Sequence, residues 1–295
     1  MDRVFGSKRA ILFFTMPALL LFLFIVIVPL FVSGYYSLLQ WDGIGKSSFI
    51  GVKNYVDLLI RDNDGFRPAL LNSFILAGLS VFVQLPVALV LALVLANGTK
   101  GEGFFRSAFF VPVIISTSVI AQLWMKIYNP QFGLLNLILE QMGLSSLKGE
   151  WLGSVETALV AVFIPVVWQY IGYHMLLMYA SAKQIPDEIY EAARIDGASG
   201  ISMAIKITVP LMKPIIKVCV TFAVIGSLRN FDLIYLLTNG GPVHATEVPA
   251  TLMFNTIFHK YMYGYGSAMA IFIIVECLVF TVLIGKIIKT EQYTY

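Results

Sequence analysis

Six uninterrupted apolar runs, near residues 10–32, 72–96, 107–127, 158–182, 215–237 and 268–288, dominate this chain. A helix needs about 20 residues to cross ~30 Å of hydrocarbon, and each run is long enough. Of the 295 residues, 58% are hydrophobic and 13% charged. That is about half the charge of a soluble domain, so the surplus apolar surface needs a bilayer as its solvent. The runs are continuous rather than alternating, which selects helices over a barrel, because lipid offers no hydrogen bonds and each segment must satisfy its own backbone. The sequence predicts an all-α integral membrane protein with six transmembrane helices.

The first run follows a basic start, yet it exceeds the ~7–15 apolar residues of a cleavable signal, so it reads as a retained span. With six spans both termini share one side. That side carries Arg3, Lys8, Arg9, Lys100, Arg106, Lys183, Arg194, Lys206, Lys213, Lys217, Lys286 and Lys289 in roughly 60 residues of loop. The other carries Lys46, Lys53, Arg61, Arg67, Lys126, Lys148 and Lys260 in roughly 100. Both termini are therefore expected in the cytoplasm. The outer loops, about 38–70, 128–157 and 238–267, have room for interfacial helices, with VPATLMFNTIFHKYMY at 248–263 as one candidate.

The sequence excludes several chemistries. WDGIGKSS contains GKS, but Gln40 stands where a phosphate loop needs its first glycine, and the stretch falls in an outer loop. His174, His244 and His259 have no HExxH spacing, Cys219 and Cys277 sit apart in apolar runs, and there is no GxSxG elbow. No catalytic or metal site is expected, and the formal charge of +3 gives no reason to expect nucleic acid.

PDEIYEAARIDGASG, residues 186–200, interrupts this apolar pattern on the expected cytoplasmic side. Pro186 suits a first helical turn, Asp187, Glu188 and Glu191 place carboxylates at the positive end of the dipole, and Gly197 is placed to close the helix in a left-handed conformation. The pattern predicts a helix of about ten residues, a tight corner and a second helix opening near Ser199. Such a helix is too short to stand alone in water, so it needs a surface. Ile185, Ile189, Ala192 or Ala193, and Asp196 share a stripe, and the even balance of acid and base favours a protein groove over an anionic leaflet.

EAARIDGAS followed by ITVPLMKP resembles the EAA loop of membrane subunits from binding-protein-dependent ABC importers, with Val209-Pro210 where Leu-Pro is commonest. WQYIGYHMLLMYASAKQIPDEIYEAA upstream, and FDLIYLLTNGGP with GYGSAMA downstream, resemble the carbohydrate branch of that family. The similarity implies a type I, MetI-like permease fold, with the first helix and its outer loop at 1–69 and a core of five helices at 70–290 containing the EAA loop at 186–214. It implies that the loop is the coupling helix, docking on a cytoplasmic ATPase through Glu191, Ala192, Ala193, Asp196 and Gly197. It also implies partners: a homologous second permease, two ATPase copies that bind ATP and Mg, and an extracytoplasmic sugar-binding protein, in the cytoplasmic membrane of a bacterium or archaeon. This chain would hold no cofactor and would pass a sugar, of oligosaccharide size, by alternating access.

Polar groups at membrane depth mark the passage such a protein would need. Trp168, Gln169, Tyr173 and His174 lie near the middle of the fourth run, Ser227, Arg229, Asn230 and Asp232 near the middle of the fifth, and Glu276 in the sixth. Aromatic faces suit the C–H face of a pyranose, and amides and hydroxyls suit its ring of hydroxyls. By resemblance Trp168, Gln169, Tyr173, His174, Ser227 and Asn230 are the substrate candidates. Arg229 and Asp232, one helical turn apart, are expected to pair as structural groups, with Glu276 protonated or bonded across the bundle. An Arg229 left unpaired and facing the cavity would favour an anion such as glycerol phosphate, and a proton-coupled carrier would use Glu276 with Arg229 and Asp232.

Overall fold

In a computed structural model, residues 8–62 and 64–289 are described. Arg3 and the two chain ends, which enter the orientation reading, lie outside them. Contacts divide the chain into two units: Met1–Asp64 with Met253–Ile274, and Gly65–Leu252 with Val275–Tyr295.

In the first unit, helix α1 (Ile11–Tyr36) leads into a hairpin of β1 (Leu39–Gln40) and β2 (Ser48–Phe49) and then the short α2 (Lys53–Val56). The GKS triplet lies in this hairpin's turn. Asp42 accepts from the amides of Ile44 (3.1 Å) and Gly45 (3.0 Å), so this stretch is a turn whose shape a carboxylate sets. Asn54 fastens α2 to the hairpin by donating to the carbonyls of Ser37 (2.8 Å) and Leu39 (2.9 Å). Gly264 is required where the chain returns, since a Cβ there would lie 2.0 Å from the Leu39 carbonyl oxygen.

The second unit contains α3 (Phe66–Ala96), α4 (Glu102–Ile114), α5 (Thr117–Ile127), α6 (Leu134–Gln141), α7 (Val155–Ala182), α8 (Asp187–Ile195), α9 (Gly200–Leu211), α10 (Lys213–Leu228) and α11 (Asp232–Thr238). Helix α12 (Pro249–Phe258) and the last span, α13 (Tyr263–Ile287), complete the chain. The long α7 is the hub, packing against α3, α4, α10 and α11. Its approach to α4 is so close that a Cβ on Gly172 would meet the Phe109 carbonyl oxygen at 1.9 Å. At the far end of α7, Tyr179 donates to Glu102, and Glu102 also faces Arg106 (3.8 Å) and Lys183 (3.7 Å), which ties α4 to α7.

Among the described residues, five helices are long and apolar enough to cross a membrane, and α4 with α5 makes a sixth candidate bent by 97°. The expected straight span at 107–127 is therefore corrected: the helix stops at Ile114, and Ile115 and Ser116 are extended. The fifth expected span is one of the five, Lys213–Thr238, with its helix locally interrupted where α10 ends at Leu228 and α11 starts at Asp232. The first runs on to Tyr36, past the expected 32.

Proline shapes three helices in one way. π-Helical turns at Leu23–Ile27, Ser80–Gln84 and Ala204–Thr208 each end two residues before a proline: Pro29, Pro86 and Pro210. Proline donates no hydrogen bond and its ring pushes against the carbonyl a turn earlier, so the preceding turn widens.

Apolar side chains of the second unit bury themselves in two main clusters. One joins Leu85, Ala88 and Ala92 to Met175, Met178, Met212 and Cys219. The other joins Leu76, Ile120, Val162, Phe163 and Val166 to Leu233, Ile234 and Leu237. Three stretches of chain, 76 to 85 on α3, 166 to 175 on α7 and 219 to 233 through α10 and α11, each pass from one cluster to the other. The residues in those intervals are where polar groups collect.

Candidate functional site

A cavity of about 630 Å³ lies at this junction, lined from α3 by Ser80 and Gln84, from α5 by Thr117, from α7 by Gln169, Tyr170, Tyr173 and His174, and from the α10–α11 segment by Ser227, Arg229, Asn230 and Asp232. Its volume is within the range of small-molecule sites. The helix break is what turns the last group inward. Phe231, at φ −136 and ψ −60, leaves helical geometry, and the amide of Asn230 falls back on the Ser227 carbonyl at 3.2 Å. The π turn of α3 places Ser80 and Gln84, its first and last residues, on the same cavity.

Hydrogen bonding separates structural from available groups. The hydroxyls of Ser80 and Ser227 meet at 3.0 Å, and Ser227 donates to the Ala223 carbonyl at 2.8 Å, so Ser227 joins α3 to α10. In contrast, His174 Nδ1 and Asn230 Oδ1 are buried with no hydrogen-bond partner among the described residues. A buried polar atom left without a partner costs about 1–3 kcal/mol, so either side chain would gain by turning that atom to a polar solute.

Five of the six substrate candidates, Gln169, Tyr173, His174, Ser227 and Asn230, thus line one cavity. Trp168 does not. Its ring packs edge-on against Trp124 at 5.8 Å, among the residues of the second apolar cluster. The expected pairing of Arg229 with Asp232 is corrected as well: no ion pair within 4.0 Å joins them among the described residues, because the break replaces the regular turn that would have brought them together, and both side chains line the cavity. Glu276 is buried, with neither carboxylate oxygen partnered among the described residues, and is not in the lining. Ser80, Gln84, Thr117 and Tyr170 are lining residues outside the expected set. A lone amide, Gln84, inside the apolar run SVFVQLPVALV was the available signal.

The segment after α7 has the expected form: α8, a corner with Gly197 at φ +86, and α9 opening behind Ser199. Pro186 is the residue before the first turn rather than within it. Ile185 and Ala193 are buried, and Ile189 and Tyr190 pack against the first apolar cluster, so this stripe faces the chain's own helices. Ala193 is therefore an anchor and does not belong to a free docking face. Glu191, Ala192, Asp196 and Gly197 are exposed, and beside them Ile195 and Ile201 are 88% and 78% exposed.

The model of the family described as binding-protein-dependent transport system inner membrane component matches residues 9–289. A probable ABC transporter permease protein of Bacillus subtilis, YurN, is 41% identical over 95% of this chain and 96% of its own. The trehalose/maltose transport system permease protein MalF of Thermococcus litoralis is 35% identical over 92% and 91%. Among solved structures, a chain of a bacterial alginate ABC transporter in complex with an alginate pentasaccharide-bound periplasmic protein superposes with a TM-score of 0.83, at 25% identity over 97% of this chain and 98% of that one. This multi-pass membrane protein belongs to the family of binding-protein-dependent transport system inner membrane components.

Proposed function

We propose that this chain is a permease subunit of an ATP-driven importer and that a saccharide crosses the membrane through the cavity between α3, α7 and the α10–α11 break. The observation that carries this reading is the cavity itself: a band of amide, hydroxyl and aromatic groups between two apolar layers, with buried acceptors at Asn230 and His174 left unpartnered among the described residues. Hydroxyls donate as well as accept, so a sugar answers those acceptors where hydrocarbon cannot. Relatives that include trehalose/maltose and diacetylchitobiose permeases support the same class.

In this reading α8 docks on a cytoplasmic ATPase through Glu191, Ala192, Asp196 and Gly197, with Ile195 and Ile201 giving the apolar contact. The partners are two ATPase copies carrying ATP and Mg, a homologous second permease and an extracytoplasmic sugar-binding protein. Both termini lie in the cytoplasm of a bacterium or archaeon, and the chain itself performs no chemistry. ATP would act by stabilising inward- and outward-open states differently. One observation favours a second reading: the unpartnered Glu276 is the kind of group a proton-coupled carrier uses. Uptake of labelled saccharide into vesicles holding the whole assembly separates the two. Import that needs internal ATP and survives an ionophore supports the first reading, and ATP-independent import abolished by the ionophore supports the second.

A further inference from the structure

We infer that Arg229 and Asp232 form a divided charge pair that selects an uncharged saccharide and turns away anionic ones; this rests on the cavity being the passage. Both residues line the cavity and are exposed, and neither side chain has a hydrogen bond or ion pair among the described residues. In an unbroken helix residues three apart would be neighbours and would neutralise one another. The irregular stretch from Arg229 to Phe231 holds the two charges apart instead.

Consequences follow from the charge count. The only Asp, Glu, Lys or Arg side chains in the lining are these two, so the cavity has one full positive and one full negative charge. An isolated guanidinium would recruit carboxylate or phosphate by charge-assisted bidentate bonds. With Asp232 three residues away in the same space, an anionic solute gains from Arg229 and loses to Asp232, while also giving up its own hydration. A vicinal diol meets no such conflict. One hydroxyl donates to the Asp232 carboxylate and its neighbour accepts from Arg229. Selectivity then arises from the repulsive member as much as from the attractive one. Glycerol phosphate, which an unpaired Arg229 alone would favour, is disfavoured once Asp232 shares the cavity.

The test uses the solubilised permease–ATPase assembly without its extracytoplasmic binding protein, so that only the cavity's preference is read. Binding of maltotriose, cellobiose, raffinose and the uronic acid forms of each is followed by equilibrium dialysis. The wild type is expected to bind at least one neutral member, and its acid form roughly tenfold or more weakly, because Arg229 and Asp232 act on the added carboxylate with opposite sign and leave its lost hydration uncompensated. Asp232→Asn should bring the two forms within about threefold, whereas Arg229→Gln should weaken the neutral form without helping the acid one. A neutral-to-acid ratio unchanged in Asp232→Asn, or a wild type preferring acid forms, overturns the charge pair and leaves the sugar passage standing. Failure of every saccharide to bind the wild type overturns both.

Discussion

The cavity and the α8–α9 corner are opposite kinds of incomplete surface within one unit. In the cavity, polar groups stand unsatisfied among apolar helices: His174 Nδ1 and Asn230 Oδ1 lack partners among the described residues, and Arg229 and Asp232 form no ion pair. At the corner, apolar side chains stand open among charges, with Ile195 and Ile201 exposed beside Glu191 and Asp196. A polar gap in an apolar medium is closed by a hydroxyl-rich solute, and an apolar gap in a polar medium by another protein. The difference teaches where each partner belongs, and it predicts that damage to one surface should leave the other's partner bound.

Gly197→Pro should have the largest effect on transport. Gly197 sits at φ +86, which proline cannot adopt, so the corner between α8 and α9 is lost. ATP-driven uptake should fall by about a hundredfold or more, while equilibrium dialysis finds saccharide binding intact. Loss of both together would break the separation of the two surfaces.

Gly172→Ala probes the frame that carries both. With a Cβ driven to within 1.9 Å of the Phe109 carbonyl, α4 and α7 must part, and thermal unfolding should reveal a loss of about 3 kcal/mol or more. A variant as stable as the parent would mean that the helices separate freely.

Asn230→Ala should reduce saccharide affinity by about tenfold and leave co-purification with the ATPase unchanged, since an open acceptor is removed from the cavity alone. Trp168→Phe should lower stability by about 1 kcal/mol, through the lost edge-on contact with Trp124, and leave affinity alone. Affinity falling as far as in Asn230→Ala would move the edge of the cavity outward to Trp168.

The smallest effect concerns the hairpin. The Ile44 and Gly45 amides hold the Asp42 carboxyl below its usual range, so the ionised form is favoured in the fold. That contribution is complete above the unfolded value of about 4 and is lost as pH falls through the lower folded one. Hydrogen exchange across residues 40–49 should thus be independent of this group from pH 8 to 5, after correction for intrinsic rates, and loosen below about pH 4. Loosening near pH 6 would contradict the assigned role.

Much of this fold was legible because hydrophobic runs of span length and a glycine-closed acidic helix have direct physical meaning. The elbow at 187–203 follows from residue types alone: carboxylates at a helix start, Gly197 at its end and Ser199 ahead of the next. The breaks were not legible. Ser116 stands ahead of α5 as a serine suits, but one serine inside an apolar run is too weak a signal to split a span. The break at Arg229–Phe231 was hidden for the same reason, so two charges that sequence spacing would pair are found divided. Cavity residues on α7 were readable as a polar cluster, but Ser80 and Gln84 were single polar residues in an apolar run and acquire their position from the π turn before Pro86.

The most direct test is to place a single cysteine at Ile195, replacing Cys219 and Cys277 by serine and alanine, and to treat the assembled importer in vesicles with a short bifunctional thiol reagent. Docking of α8 on the motor predicts a covalent adduct between this chain and the ATPase, formed at a rate that changes with nucleotide. Continued ATP-driven uptake with residue 195 reacting freely with small water-soluble thiol reagents, and never joined to the ATPase, would contradict it.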